Sequence, residues 1–264
     1  MAAETHDTHD IRLSVVIPVK DDAAELRRCL RALSLQTRIP DEIVVVDNGS
    51  SDDSAAVAAH AGARVIACAT PGIPAAAATG YDAASGSLVL RLDADCIPAT
   101  TWVATMAGAA ERHPGVSAFV GGARFIDGPR RLRGPLAAAY LGAYAVAVTP
   151  ALGHLPLFGS NLAFRRDAWM QIRHRVHTDS DDLHDDLDLA FHLGETHRIV
   201  AVPRAAMGMS MRPFADRRAF ARRIHRGFVT VLSHWPEDFP PVRWTRMAMR
   251  RAVVAARVRS AKER

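Results

Sequence analysis

Cysteine is nearly missing from this chain of 264 residues. Cys29, Cys68 and Cys96 are far apart, odd in number and outside any CxxC pattern. That argues against a disulfide framework and a structural zinc site, and points to a reducing compartment. Lysine is equally scarce: Lys20 and Lys262 are the only two among 33 basic residues. Met1 to Arg12 is polar and acidic and lacks the apolar stretch of a signal peptide. The longest run without Asp, Glu, Lys or Arg, Gly134 to Phe164, is interrupted by three prolines and four glycines. Its most apolar part, Leu136 to Val148, has 13 residues, against the roughly 20 needed to span a bilayer. The expectation there is a buried or interfacial segment, not a transmembrane one. No G-x-G-x-x-G follows the first strand-like run, which speaks against a dinucleotide oxidoreductase. Nucleotidyl transfer would need a glycine-rich basic loop at the same place, and Val19 to Ala24 offers none.

What is present is globular in composition: 49% apolar and 23% charged residues exclude a disordered or collagen-like chain. The charge, however, is lopsided. Pro203 to Arg264 holds 15 basic against 4 acidic residues, and the first 202 residues hold 18 against 24. An arginine-rich tail behind an acidic body suits contact with phosphates or an anionic lipid surface. Plain arginine usage on a solvated face accounts for the same count.

The first 120 residues alternate between two periodicities. Leu13 to Pro18, Glu42 to Asp47, Arg64 to Cys68 and Ser87 to Leu92 are short strand-like runs. Between them, helical patterns run over Asp22–Gln36, Asp53–Ala61 and Ile73–Ala84, the first with a stripe of Leu26, Cys29, Leu30 and Leu33. Short connections between alternating strands and helices mean βαβ units and a parallel sheet covered on both faces. A helix over Thr101–Arg112 and a strand over Val116–Gly121 follow. The rhythm then loosens: Ala123–Arg166 mixes signals, Asp185–Gly194 reads as a helix, Arg198–Met211 as one or two strands, and Asp216–Ser233 as an amphipathic helix.

Ligands of open α/β sheets bind beyond the carboxyl ends of the strands, and two acidic features fall there. Asp47 closes Ile43-Val-Val-Val and precedes Asn48-Gly-Ser-Ser-Asp-Asp-Ser54. An Asp there accepts hydrogen bonds from a base or ribose, with Gly49 allowing close backbone approach. Capping of the next helix is the plainer role for the same residues. Asp93-Ala94-Asp95 closes Leu88-Val-Leu-Arg-Leu92. In a chain still extended, residues i and i+2 share a side, so the two carboxylates would converge as hard ligands for Mg²⁺ or Mn²⁺. A third feature, His177 to Asp188, packs six aspartates into twelve residues without the glycine and glutamate of an EF-hand. Helix capping absorbs some of these acids. Asp185-Asp186 remain to offer a base beside a hydroxyl substrate.

In this order the features resemble family 2 glycosyltransferases of the nucleotide-diphospho-sugar transferase (GT-A) fold, over about residues 12–210. Val15-Val-Ile-Pro-Val-Lys-Asp-Asp22 is similar to the opening strand and turn, and Val45-Val-Asp-Asn-Gly-Ser-Ser-Asp52 to the nucleotide-contacting segment. Ala84 to Asp95 resembles the strand ending in the family's D-x-D, and Asp185-Asp-Leu-Asp-Leu-Ala-Phe-His-Leu193 its E-D-x-D-L helix. The resemblance implies a single α/β GT-A domain with a Rossmann-like, mostly parallel sheet and a basic helical C-terminal extension. Residues 12–98 would form the nucleotide-binding half, 99–210 the acceptor half and 211–264 the extension. It also implies roles. Pro18, Val19, Asp47, Gly49 and Asp93 would bind the nucleotide sugar. Asp93 and Asp95 would hold a divalent cation, Mn or Mg. Asp186, with Asp185 where the family usually has Glu, would act as general base. The implied reaction is metal-dependent, inverting and non-processive, from a UDP-, GDP- or dTDP-linked donor to a hydroxyl acceptor, lipid-linked among the options. Nucleic acid is not an expected partner. The implied location is cytoplasmic, or peripheral at the inner face of the membrane through the basic C-terminus.

The sequence departs from the family's pattern at several points. Ala78-Thr79 stand where an Arg-Asn pair is frequent, Lys20 stands in place of Asn, and Arg223-Ile-His-Arg-Gly227 ends in glycine where processive members have Trp. The first departure keeps a catalytically silent module, binding nucleotide sugar or lipid, as the alternative. In the Asp216–Ser233 helix, Phe220, Ile224 and Phe228 form one stripe, with Arg218, Arg222 and Arg226 nearly opposite. The arginines would clamp a diphosphate or rest on lipid, or the helix docks by its apolar stripe and leaves a solvated basic face. Met207, Met209 and Met211 alternate as core residues would, and His184, His225 and His234 show no metal-ligand spacing.

Overall fold

The computed structural model describes residues 11–180, 182–212 and 216–262. Strand β1 (Leu13–Val19) is buried along its whole length, as β-branched runs in doubly covered sheets are. Helix α1 (Ala23–Ser34) buries the stripe of Leu26, Cys29, Leu30 and Leu33. Then come β2 (Glu42–Asp47), α2 (Ser54–His60), β3 (Arg64–Ala67), α3 (Ile73–Ala83) and β4 (Leu88–Arg91). These strands pair in parallel, with Val19 beside Asp47 and Val16 beside Arg91. That register delivers Pro18, Val19, Asp47 and the residues after Arg91 to one carboxyl edge. Helix α3 lies close over this sheet because residue 80 is glycine: a Cβ there would come 2.3 Å from a Val16 methyl.

The second half comprises β5 (Ile97–Pro98), α4 (Trp102–Arg112), β6 (Ala118–Phe125), α5 (Arg133–Leu152), β7 (Leu162–Arg165) and α6 (Arg166–Ile172). Helix α7 (Asp185–Thr196), β8 (Ile199–Met209), α8 (Arg217–Ser233) and α9 (Pro240–Lys262) close the chain. The eight strands lie in the order β3-β2-β1-β4-β7-β6-β8-β5. Strand β7 runs antiparallel to β4 and β6, and β5 to β8; the remaining pairs are parallel. One apolar cluster, including Leu26 and Trp102, covers one face; another, including Tyr81, Phe164, Trp169 and Phe191, covers the other. Met207 and Met209 are buried and Met211 packs beside them, as core residues.

Two expectations need correction. The β4 strand stops at Arg91, and Asp93 to Cys96 is a turn closed by the Cys96 N–H on the Asp93 carbonyl at 3.0 Å. The Asp93 and Asp95 carboxylates are brought together by that turn, not by strand alternation. The apolar segment forms a continuous 20-residue helix, α5, and only Ala137, Val148, Ala151 and Leu152 of it are buried. Pro135 falls in its first turn, where the missing N–H has no intrahelical acceptor, and Gly153 in the left-handed region (φ +76°) ends it. Among the described residues, α5 is the one helix long and apolar enough to cross a membrane by length and composition. The basic helical extension expected over 211–264 includes α9, which packs on α5 and α7. Its Arg243 is wholly buried and donates to the carbonyls of Leu152 and Phe191, both at 2.7 Å.

Candidate active site

At the carboxyl edge beside β4 lies a cavity of about 460 Å³, open to solvent. Arg91, Asp93, Gly159, His184, Asp185 and Asp186 line one side of it, and Arg222, Arg223 and Arg226 of α8 the other. Its centre is Arg91, a guanidinium 2% exposed in the last position of a buried strand. A buried charge persists only when paired, and Arg91 meets Asp93 at 3.0 Å and Asp185 at 2.7 Å. It thereby bridges the D-x-D turn and the α7 acids, which are 92 residues apart in the chain at Asp93 and Asp185. Burial works against its charge, and Asp185, then Tyr81 and Asp93, hold it protonated.

Asp186 accepts from the Gly159 N–H at 2.6 Å and pairs with His184. Burial pushes its carboxyl upward, but His184 and Arg91 outweigh that and hold it below the usual range, ionised and able to accept a proton. His184 is moved the other way: burial lowers it, and Asp186 more than reverses this. Asp185 is raised by burial, which Arg91 only partly offsets. Gly159 is required twice: its N–H orients Asp186, and a Cβ would sit 2.2 Å from Arg91 Nη1. Next to it, the Ser160 hydroxyl donates to Asp93 Oδ2.

Asp95 stands at the rim. Its Oδ2 accepts from Arg212 Nη2 at 3.0 Å, and the same guanidinium reaches Asp22. Burial, then the neighbouring Asp93, raises Asp95. Ligand atoms of Asp93, Asp95 and Cys96 lie within 4.8 Å of one another. The two carboxylates are the hard oxygen donors that Mg²⁺ or Mn²⁺ takes. The buried Cys96 thiol is pushed well up by desolvation and stays protonated. The donor set therefore fits the expected cation, and a cationic guanidinium already sits on one of its oxygens.

Asp47 and Gly49 occupy the same edge but are not among the residues lining this cavity. Asp47 Oδ1 accepts from the Ser50 N–H at 3.1 Å, and Gly49 has φ +72°. The turn is local, and the plainer role of capping α2 does not hold: the Ser51 hydroxyl donates to Asp21 instead, and α2 has no side-chain cap. Asn48, not Asp47, ties the edge together, donating to the carbonyls of Cys68 and Thr70 and accepting from Gly72 N. At the departure from the family pattern, the Thr79 hydroxyl turns back to the Ala75 carbonyl.

Of the alternatives left open for α8, the diphosphate-facing one fits Arg222 and Arg226, while Arg218 is exposed outside the cavity. Arg222 and Arg226 face the acids, whereas Phe220, Ile224 and Phe228 are 37%, 51% and 68% exposed. Helix α8 is anchored through Thr230, which accepts from the His184 N–H at 2.8 Å. Arg223 donates to the Tyr140 hydroxyl at 3.1 Å. Sequence reasoning missed Arg91, Gly159, Ser160, Tyr140 and Tyr144. For Arg91 the signal was present: an arginine inside an otherwise apolar strand demands a buried acidic partner.

A mostly parallel α/β sheet with a D-x-D turn and an acidic helix meeting at its carboxyl edge defines a GT-A glycosyltransferase fold. The solved structures agree. Glucosyl-3-phosphoglycerate synthase from Mycobacterium tuberculosis, in complex with Mn²⁺, UDP-glucose and phosphoglyceric acid, superposes with a TM-score of 0.59 at 22% identity, covering 84% of this chain and 79% of that one. A mannosyltransferase from Pyrobaculum calidifontis with GDP-mannose and Mn²⁺ gives 0.58 at 21% identity over 94% and 76%. The family model for glycosyl transferase family 2 matches residues 14–173, and the chain belongs to that family. Glycosyltransferase AglE of Haloferax volcanii is 34% identical over 99 residues, 34% of this chain and 33% of its own. An undecaprenyl-phosphate 4-deoxy-4-formamido-L-arabinose transferase of Serratia proteamaculans is 40% identical over 94 residues, 32% and 29% of the two lengths. The matches thus span about a third of these curated relatives.

Proposed function

We propose that the protein is an inverting, non-processive glycosyltransferase that moves a sugar from a nucleoside-diphosphate donor to the hydroxyl of an acceptor. One observation carries this reading: Asp186, ionised and oriented by Gly159, shares a cavity with Asp93, Arg91 and the α8 arginines. Asp93 and Asp95 would hold Mn²⁺ or Mg²⁺, which when bound neutralises the departing nucleoside diphosphate. Pro18, Val19, Asp47 and Gly49 would meet the nucleoside, and Arg222 and Arg226 the diphosphate. Asp186 takes the proton of the attacking hydroxyl as it displaces the leaving group in line. A single displacement inverts the anomeric centre. Asp185 stays paired with Arg91 and fixes the start of α7.

An apolar groove of about 430 Å³ between α5 and α8 continues from the cavity, sharing Tyr140, Tyr144, His184 and Arg223 with it. Ala143, Ala147, Ile224 and Phe228 line its far part. This continuity supports an acceptor whose hydroxyl sits at Asp186 and whose hydrocarbon chain runs out along α5. The exposed apolar residues of α5 and α8, with the arginine excess, support a peripheral seat at the cytoplasmic face of a membrane.

The test is nucleoside diphosphate release from UDP-, GDP- and dTDP-sugars with Mn²⁺, offering short hydroxyl acceptors and long-chain ones. The reading expects turnover by the wild type and a loss of about 10²–10⁴-fold in Asp186→Asn. It also expects Ile224→Glu to raise KM for long-chain acceptors alone. Equal donor binding with no turnover by the wild type would favour the silent module, for which the Ala78-Thr79 departure speaks.

A further inference from the structure

On the side of α7 facing away from the catalytic acids, three histidines from three parts of the chain converge on one carboxylate. His177 comes from the segment before α7, His192 from α7 itself and His234 from the end of α8. Their ligand nitrogens and an Asp188 oxygen all lie within 4.8 Å of one another. Asp188 Oδ1 is 2.7 Å from His177 Nδ1, 3.3 Å from His234 Nε2 and 3.7 Å from His192 Nε2. Asp188 is fully buried, and His192 and His234 are each only 6% exposed.

The hydrogen bonding within this cluster is incomplete. His234 Nδ1 is 2.7 Å from the Thr230 carbonyl, which can only accept, so Nδ1 carries the proton. In a neutral ring the Nε2 lone pair would then point at a carboxylate oxygen, two acceptors face to face. Both nitrogens of His192 and Nε2 of His234 are buried without a hydrogen-bond partner. A proton on His234 alone would make that contact a charge-assisted hydrogen bond but leave both His192 nitrogens unpaired, and protonating His192 as well would set two imidazolium ions with centroids 5.1 Å apart in a buried site.

We propose that His177, His192, His234 and Asp188 form a binding site for a borderline divalent transition metal, zinc foremost, distinct from the Asp93/Asp95 site. Imidazole nitrogen suits Zn²⁺, whereas oxygen-only donors suit Mg²⁺ and Mn²⁺. A tetrahedral zinc with bonds of about 2.0–2.1 Å sets its donors about 3.4 Å apart; the 3.3 and 3.7 Å contacts are already close to that, and the 2.7 Å His177 contact would open as the ion enters. The outer contacts are those of a metal site as well. Thr230 fixes the His234 tautomer, Phe191 stacks on that ring at 4.0 Å, and the His177 N–H donates to Asp188 Oδ2 at 2.9 Å. His177, 43% exposed, gives the ion a way in. Four protein ligands leave no open position, so the role is structural. The ion pins the segment before α7 and the end of α8 to α7, two residues beyond Asp186. The cysteine count argued against structural zinc; the histidines do not depend on it, and their spacing of 15 and 42 residues hid the set.

The test is elemental analysis of the full chain purified without chelator, together with melting curves. The proposal expects about one zinc per chain, unchanged in Asp95→Ala and lost in His192→Ala and His234→Gln. Chelation should lower the melting temperature, and Zn²⁺ but not Mg²⁺ should restore it. Cobalt loaded in place of zinc should give the visible absorption of a tetrahedral site, a readout that needs no variant to fold. Zinc below a tenth of an equivalent after growth with added zinc, with melting indifferent to zinc and chelator, would overturn the proposal. So would a zinc content that falls in Asp95→Ala. None of these readouts depends on glycosyl transfer.

Discussion

Replacing Arg91 by methionine, similar in reach but uncharged, strands the carboxylates of Asp93 and Asp185 beside an apolar chain. Arg91 is 2% exposed and pairs with them at 3.0 and 2.7 Å. Removing one partner of a buried ion pair costs about 3–5 kcal/mol, chiefly because the other charge is left uncompensated. A chain of 264 residues has an unfolding entropy of about 0.55 kcal/mol/K, so Arg91→Met should melt about 5–9 °C lower. The double variant Arg91→Met/Asp185→Asn removes one of the stranded charges along with the guanidinium. It should therefore be more stable than the sum of the single losses predicts, by about 1 kcal/mol or more. Urea and thermal unfolding followed by circular dichroism measure both quantities. Arg91→Met melting within about 1 °C of wild type, or strict additivity in the cycle, would refute the view that Arg91 holds the two acidic motifs together.

Gly159→Ala should lower kcat at least about tenfold and cost about 1–3 kcal/mol, since its Cβ would meet Arg91 Nη1 at 2.2 Å. Gly142→Ala on α5, where a Cβ meets nothing within 4 Å, should be neutral or slightly stabilising in the same assays. The Glu42 carboxylate accepts from Ser14, Ser85 and the Arg64 guanidinium, which against the opposing effect of burial hold it below its usual range. A depressed folded pKa stabilises above the unfolded value and is lost as pH falls. Glu42→Gln should thus melt roughly 2 °C below wild type at pH 7, about 1 kcal/mol, and the gap should close toward pH 3.

The βαβ half was legible because local pattern and tertiary role agree: Leu26 to Leu33 makes one stripe, and β1 and β2 bury their valines on both faces. The D-x-D turn and the α7 acids were legible as chemistry. Their meeting was not, because it depends on Arg91 and Gly159, whose partners are remote in sequence. Helix α5 was obscured by its alanines and prolines: a chain of small apolar residues gives little amphipathic contrast, and most of the helix faces outward. The α8 arginines could not be assigned a side from helical spacing alone, since the acids they face come from β4 and α7. His234 carried no spacing signal because its companions His177 and His192 belong to another part of the chain.

The most direct measurement is anomalous diffraction at the manganese edge from crystals grown with Mn²⁺ and UDP. The account predicts a manganese ion bonded to Asp93 and Asp95, with Arg212 moved aside and the diphosphate lying between that ion and Asp186. Manganese absent from those two carboxylates, or UDP held outside the cavity that Asp186 lines, would contradict it.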